Sequence, residues 1–159
     1  MTRASLARPP HAIAGALAIH RARGIPIPSR NDVGAADSPV DSQALAHAFA
    51  LHAANDLEGA ARAFAEICRT LPEHTGAYKA FGYVLCQLGD HEHAIAPLMI
   101  AVAREYGDPE PLYFAALCMQ KCGDAQTARD MANDALEMVR SSNRHADLRV
   151  SLERLLGTL

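Results

Sequence analysis

The residues with the most reactive chemistry are four cysteines, Cys68, Cys86, Cys118 and Cys122, and eight histidines. Cys118 and Cys122 are four apart, which puts both thiols on one helical face, but no C-x-x-C pair or matching histidine pair accompanies them. His91 and His93 flank Glu92 and, at that spacing, point apart on a helix. The pattern argues against a metal centre and for reduced, mostly buried thiols in a cytosolic protein. Nucleophilic catalysis is no better served. There is no glycine-rich phosphate loop, no G-x-S-x-G elbow and no H-E-x-x-H helix. Cys86 would need a base beside it to act as a nucleophile, and no histidine is predictably there. The expectation is a chain that is no enzyme and uses no cofactor.

What remains is binding, which depends on the elements that carry it. A chain of 159 residues has room for one domain with an arm. Half of the residues are apolar, yet aromatics are 5% and tryptophan is absent, so the core must be built from Ala and Leu. Closely packed helices suit such a core better than a β-sandwich. Residues 1–31 hold Arg3, Arg8, Arg21, Arg23 and Arg30 and no acid, whereas the rest holds 10 Lys/Arg against 18 Asp/Glu. A basic arm, residues 1–37, thus precedes an acidic domain, residues 38–159. The arm reads as a short helix, His11 to Arg23, with Ile13, Ala16, Leu17 and His20 along one face, then a linker from Ile25 to Asp37. It lacks the small-residue cleavage site of a secretory signal, while its composition is also that of an organellar transit peptide. The net charge of −3 disfavours direct nucleic-acid binding. No apolar run approaches the roughly 18 residues of a membrane span, so a soluble protein with no membrane contact is expected.

The chain repeats itself every 34 residues. Asn55, Gly89 and Gly123 align, each followed by an aspartate: Asp56, Asp90 and Asp124. Further columns are Ala48/Gly82/Ala116, Ala60/Ala94/Ala128 and Ile67/Ala101/Ala135. Asn or Gly suits the left-handed residue that closes a helix. The aspartate after it can cap the next helix, and the small columns let the two helices of a pair approach. Helices are expected near 39–53, 57–70, 75–88, 91–106, 109–122 and 125–140, with Ser38 and Asp108 as caps and Pro39 in a first turn. Pro97 should kink the fourth. A last helix near 144–156 offers Leu148, Leu152, Leu155 and Leu156 to cover the open end. No unit buries its apolar face alone, so the units must stack into a solenoid.

This pattern resembles the tetratricopeptide repeat over about residues 41–142. The resemblance implies an all-α, right-handed solenoid of three helix pairs with a C-terminal capping helix. Ala44 and Leu112 stand where an early aromatic is usual, Tyr78 keeps it, and Tyr106 replaces the closing proline that Pro72 retains. In such solenoids the first helix of each pair lines the concave side. Helical phase then makes Leu45, Phe49 and His52 groove residues in the first unit, Lys79, Tyr83 and Cys86 in the second, and Tyr113, Leu117 and Gln120 in the third. Packing of the same residues between helices is the competing reading. A groove of this kind suits an extended peptide with spaced apolar side chains, and the hydroxyls of Tyr83 and Tyr113 are available to its backbone. Leu45 and Phe49 occupy positions where a carboxylate clamp needs polar groups, which disfavours that mode. Phe49→Ala or Tyr83→Ala is expected to lose the ligand without unfolding the chain.

Three segments carry a closer resemblance: Phe64-Ala-Glu-Ile-Cys68, Tyr78-Lys-Ala-Phe-Gly-Tyr-Val-Leu-Cys-Gln-Leu-Gly-Asp90 with Ala94-Ile95, and Asp108-Pro-Glu-Pro-Leu-Tyr-Phe-Ala-Ala-Leu-Cys118 with Gly123 and Ala128. Together they resemble the class II chaperones of bacterial type III secretion systems over residues 40–140. The resemblance implies a cytoplasmic bacterial chaperone that binds two hydrophobic secreted translocator proteins and holds them soluble and apart without ATP. It also implies a homodimer formed through the N-terminal region and, for some members, a transcription activator as a further partner. The basic, proline-containing arm departs from the family's N-terminal helix. The alternative is a generic tetratricopeptide scaffold that joins components of a complex.

Overall fold

Asn55, Gly89 and Gly123 have φ of 62°, 81° and 90° in the computed structural model, which describes residues 39–140 and 145–159. Each follows the first helix of a pair and turns the chain into the second. The backbone bonds are the same three times. Asn55, Gly89 and Gly123 donate to His52, Cys86 and Gln120 carbonyls, and the aspartate after each donates to Leu51, Leu85 or Met119 at 3.0 Å. These bonds satisfy carbonyls that a helix end leaves open, and only a left-handed residue permits them.

Seven helices follow in order among the described residues: α1 (Pro39–Ala53), α2 (Leu57–Thr70), α3 (Thr75–Leu88), α4 (His91–Arg104), α5 (Pro109–Lys121), α6 (Ala125–Arg140) and α7 (Ala146–Leu156). Each packs against the next, and α3 also touches α5 as α5 touches α7. This is the all-α arrangement of three helix pairs and a covering helix that the 34-residue period predicts. The proposed helix His11–Arg23, the linker and the cap at Ser38 lie outside the described residues.

Capping follows the repeat with one exception. Asp56 accepts from Gly59 N at 2.9 Å, Asp124 from Thr127 N at 3.0 Å, and Asp108 from Glu110 N at 3.0 Å. Asp90 makes no such bond, contrary to expectation; its carboxylate pairs with His93 Nδ1 at 2.7 Å instead. His74, unremarked in the sequence, caps α3 by accepting from Ala77 N at 3.0 Å through Nδ1. Pro97 lies inside α4 without interrupting it, and α4 stops at Arg104, short of the expected residue 106. Arg104, the last residue of α4, stacks over the Tyr78 ring at 5.2 Å and donates to the Pro72 carbonyl, tying α4 to the α2–α3 turn.

The core is the alanine-rich seam that the composition requires. Ala48, Ala60, Ala94, Ala116, Ala128 and Ala135 are fully enclosed, with Ile67 and Ala101 almost so. Between them sit Phe64, Leu98, Val139 and Leu152, each side chain contributing about 1.5–3 kcal/mol by leaving water. Gly82 has no room for more: a Cβ there would stand 2.5 Å from Leu98 Cγ. At the open end, α7 buries Leu152 and Leu155 and half-buries Leu148 and Leu156, as the pattern of the last helix predicts.

Candidate peptide-binding groove

The first helices α1, α3 and α5 carry the nine predicted groove residues, and four of these, His52, Lys79, Tyr83 and Cys86, link one first helix to the next. His52 Nε2 and Gln87 Oε1 share a hydrogen bond of 2.8 Å between α1 and α3. Lys79 of α3 pairs with Asp108, the cap of α5, and with Glu110 at 3.0 Å. Tyr83 of α3 packs on Phe114 of α5 with ring centroids 4.4 Å apart, and Cys86 Sγ lies 3.0 Å from Cys118 Sγ. At the far end Gln120 donates to Thr158 at 3.1 Å. Tyr113 stacks edge-on against Phe114 at 5.2 Å, and Ser151 of α7 lies beside it.

The nine residues divide by exposure. Leu45, Tyr83, Cys86 and Tyr113 are buried, at 8%, 4%, 7% and 6%. Phe49, His52, Lys79, Leu117 and Gln120 are half-buried. Phe49 sets its edge against Phe64 of α2 at 5.1 Å, which leaves part of its ring accessible. The two tyrosine hydroxyls are not open to a ligand as the sequence suggested. Tyr113 is buried with Ser151 beside it, and Tyr83 is enclosed beside the carboxylates of Glu110 and Asp108. Burial first, then those two negative charges, push the Tyr83 hydroxyl well above its ordinary pKa.

Lys79 is the main charge on this surface. Burial alone would lower its pKa, but the charges of Glu110 and Asp108, and the bonds it gives them, outweigh that and hold it above the ordinary lysine value. Its ammonium also stands 5.9 Å over the Tyr83 ring. A lysine neutralised twice is poorly placed to clamp a ligand carboxylate, in line with the apolar reading of the groove.

Sequence reasoning missed the partners: Gln87, Asp108, Glu110, Phe114 and Thr158. The repeat itself carried a signal for them. Contacts between successive first helices run at offsets near one period: 35 residues for His52–Gln87, 32 for Cys86–Cys118 and 29 for Lys79–Asp108. It also missed that His91 Nδ1 comes within 3.8 Å of Cys118 Sγ. No helix among the described residues is long and apolar enough to cross a membrane.

A scan against protein-family models finds no match, and no curated protein sequence matches the chain. Solved structures do share the fold. The Yersinia enterocolitica type III secretion chaperone SycD, in complex with a peptide of the translocator YopD, superposes with a TM-score of 0.71 at 18% identity over 76% of this chain and 92% of its own. PcrH of Pseudomonas aeruginosa, in complex with the chaperone-binding region of PopD, has a TM-score of 0.71 at 19% identity over 79% and 94%. The TPR2B domain of yeast Sti1, in complex with pHsp70, has a TM-score of 0.67 at 18% identity over 76% and 95%. These structural neighbours are translocator chaperones and a tetratricopeptide domain, and the fold of this chain is theirs.

Proposed function

We propose that the chain is a class II translocator chaperone that acts in the bacterial cytoplasm. It binds hydrophobic translocators of a type III secretion system and holds an extended segment along α1, α3 and α5. The observation that carries this reading is a fold shared over more than nine-tenths of SycD and PcrH, both solved with translocator segments. In this reading Leu45, Tyr83, Cys86 and Tyr113 form the floor of the groove. Phe49, His52, Lys79, Leu117 and Gln120 meet the segment. Apolar anchors on the cargo displace water from Phe49 and Leu117, and covering them lowers the concentration of aggregation-prone free chain. Residues 38–159 supply this domain, preceded by the basic arm at 1–37, and the chain forms a homodimer, as a dimer is described for SycD.

The test is a pull-down with the tagged full-length chain from its source cell under secretion-inducing growth, read by mass spectrometry. Recovery of one or two exported proteins with long apolar segments, lost with Phe49→Ala, supports the reading. Recovery of folded cytosolic proteins, or retention of cargo by a well-folded Phe49→Ala chain, returns it to a scaffold of the kind that the Sti1 domain exemplifies.

A further inference from the structure

One cluster of nucleophilic and basic groups, at the groove floor, carries a chemistry that peptide binding does not use. Cys86 of α3 and Cys118 of α5 meet with their sulfurs 3.0 Å apart, and both are unbridged. Even carbon atoms, smaller than sulfur, rest about 3.5–4.0 Å apart, so this pair is closer than packing alone requires. His91, at the start of α4, sets Nδ1 3.8 Å from Cys118 Sγ. Cys118 is fully enclosed, Cys86 is 7% exposed, and His91 is half-buried. Among the described residues no three His, Cys, Asp or Glu groups converge as metal ligands would. Two facing thiols with an imidazole behind one of them have the parts for thiol oxidation.

We propose that Cys86 and Cys118 form a reversible disulfide on meeting a peroxide, with His91 as the base that takes the Cys118 proton. Cys86, the more accessible sulfur, attacks one peroxide oxygen; the O–O bond breaks and the leaving hydroxide takes up the Cys86 proton as water. Cys86 is then a sulfenic acid. Cys118 passes its proton to His91, and its sulfur attacks the Cys86 sulfur. The S–S bond forms, the S–O bond breaks, and the departing hydroxide leaves as a second water with the proton from His91. Two thiols and one peroxide give one disulfide and two waters, with two electrons passing from sulfur to oxygen.

The surroundings set the rate. The bond to Cys118 and then burial hold the Cys86 thiol far above its ordinary pKa, so little thiolate is present and the step is slow beside that of an exposed thiol. Burial holds His91 below the ordinary imidazole value, which keeps it neutral and able to accept a proton. The product ties α3 to α5 and closes a loop that contains α4, which restricts the unfolded chain.

The experiment uses the full chain carrying Cys122→Ser, which removes the exposed thiol. The reduced protein is treated with hydrogen peroxide, its remaining thiols are alkylated after denaturation, and it is mapped by proteolysis and mass spectrometry. The expected result is a monomeric product lacking two hydrogens, a peptide linking Cys86 to Cys118, and an upward shift in melting midpoint that dithiothreitol reverses. His91→Gln should slow formation of the link several-fold. Full alkylation of both cysteines after peroxide treatment, or a link from either to Cys68, overturns the pairing; an unchanged rate in His91→Gln overturns the base.

Discussion

Replacing Gly82 by alanine sets two effects of known size against each other. Gly82 lies in the interior of α3, where alanine is favoured over glycine by about 1 kcal/mol on helix propensity alone. The new Cβ, however, would sit 2.5 Å from Leu98 Cγ and 2.7 Å from Cδ2. Carbon atoms rest about 3.5–4.0 Å apart, so the overlap is roughly 1 Å. Leu98 is fully enclosed and has no solvent to move into. Overpacking of this kind costs about 1–3 kcal/mol, which leaves a net loss of roughly 1 kcal/mol. Urea unfolding followed by circular dichroism should show a lower midpoint with an unchanged slope. Leu98→Ala alone should cost about 2–5 kcal/mol. Combined with Gly82→Ala it should cost less than the sum by about 1–3 kcal/mol, because the added methyl enters the space that the leucine leaves. A Gly82→Ala chain more stable than its parent, or strictly additive costs in the double variant, would refute the close approach of α3 and α4.

Lys79→Met should destabilise the fold by about 3 kcal/mol, since it strands Asp108 and Glu110 beside buried Tyr83, and adding Glu110→Gln should restore part of the loss. Its folded pKa is raised, so the stability it confers is fully present below the ordinary value of 10.5 and is lost as pH rises through the folded value; an advantage over Lys79→Met that is already gone at neutral pH contradicts the pairing. Asn55→Gly should stabilise the chain, and Gly89→Ala and Gly123→Ala should each cost about 1–2 kcal/mol, measured by thermal melts, because all three positions are left-handed. Asp56→Ala should cost about 1 kcal/mol as a lost cap, and Asp90→Ala less, because the Asp90 carboxylate pairs with the exposed His93 side chain instead of capping the helix; equal losses would contradict that difference.

The fold was legible because the repeat writes its turns in residue types with few physical alternatives. Asn or Gly before Asp every 34 residues marks a left-handed closure and a cap, and the structure has that closure at Asn55, Gly89 and Gly123. The small columns read as close helix contacts, and Ala48, Ala60, Ala94, Ala116 and Ala128 are enclosed. That the nine predicted residues fall on α1, α3 and α5 was also legible, since the repeat fixes where the first helix of each pair runs. How open that face is was not. Phase says which way Tyr83 and Tyr113 point, but their exposure depends on the facing rings and carboxylates of the next helix. Phe114, Glu110 and Ser151 cover them, so Tyr83→Ala would remove core packing along with any groove contact.

The same division holds across the molecule. Local and periodic information, carried by backbone conformation and by side-chain size along one helix, is present in the sequence: the helices of the described residues, their order, their turns and their buried stripe. Pairings between helices about 30 residues apart depend on angle and rise between units, which no single position encodes. Lys79 with Asp108, Cys86 with Cys118 and His91 near the Cys118 sulfur exist only once the second and third units are stacked. A change of one residue in stacking register would part them while leaving every helix intact.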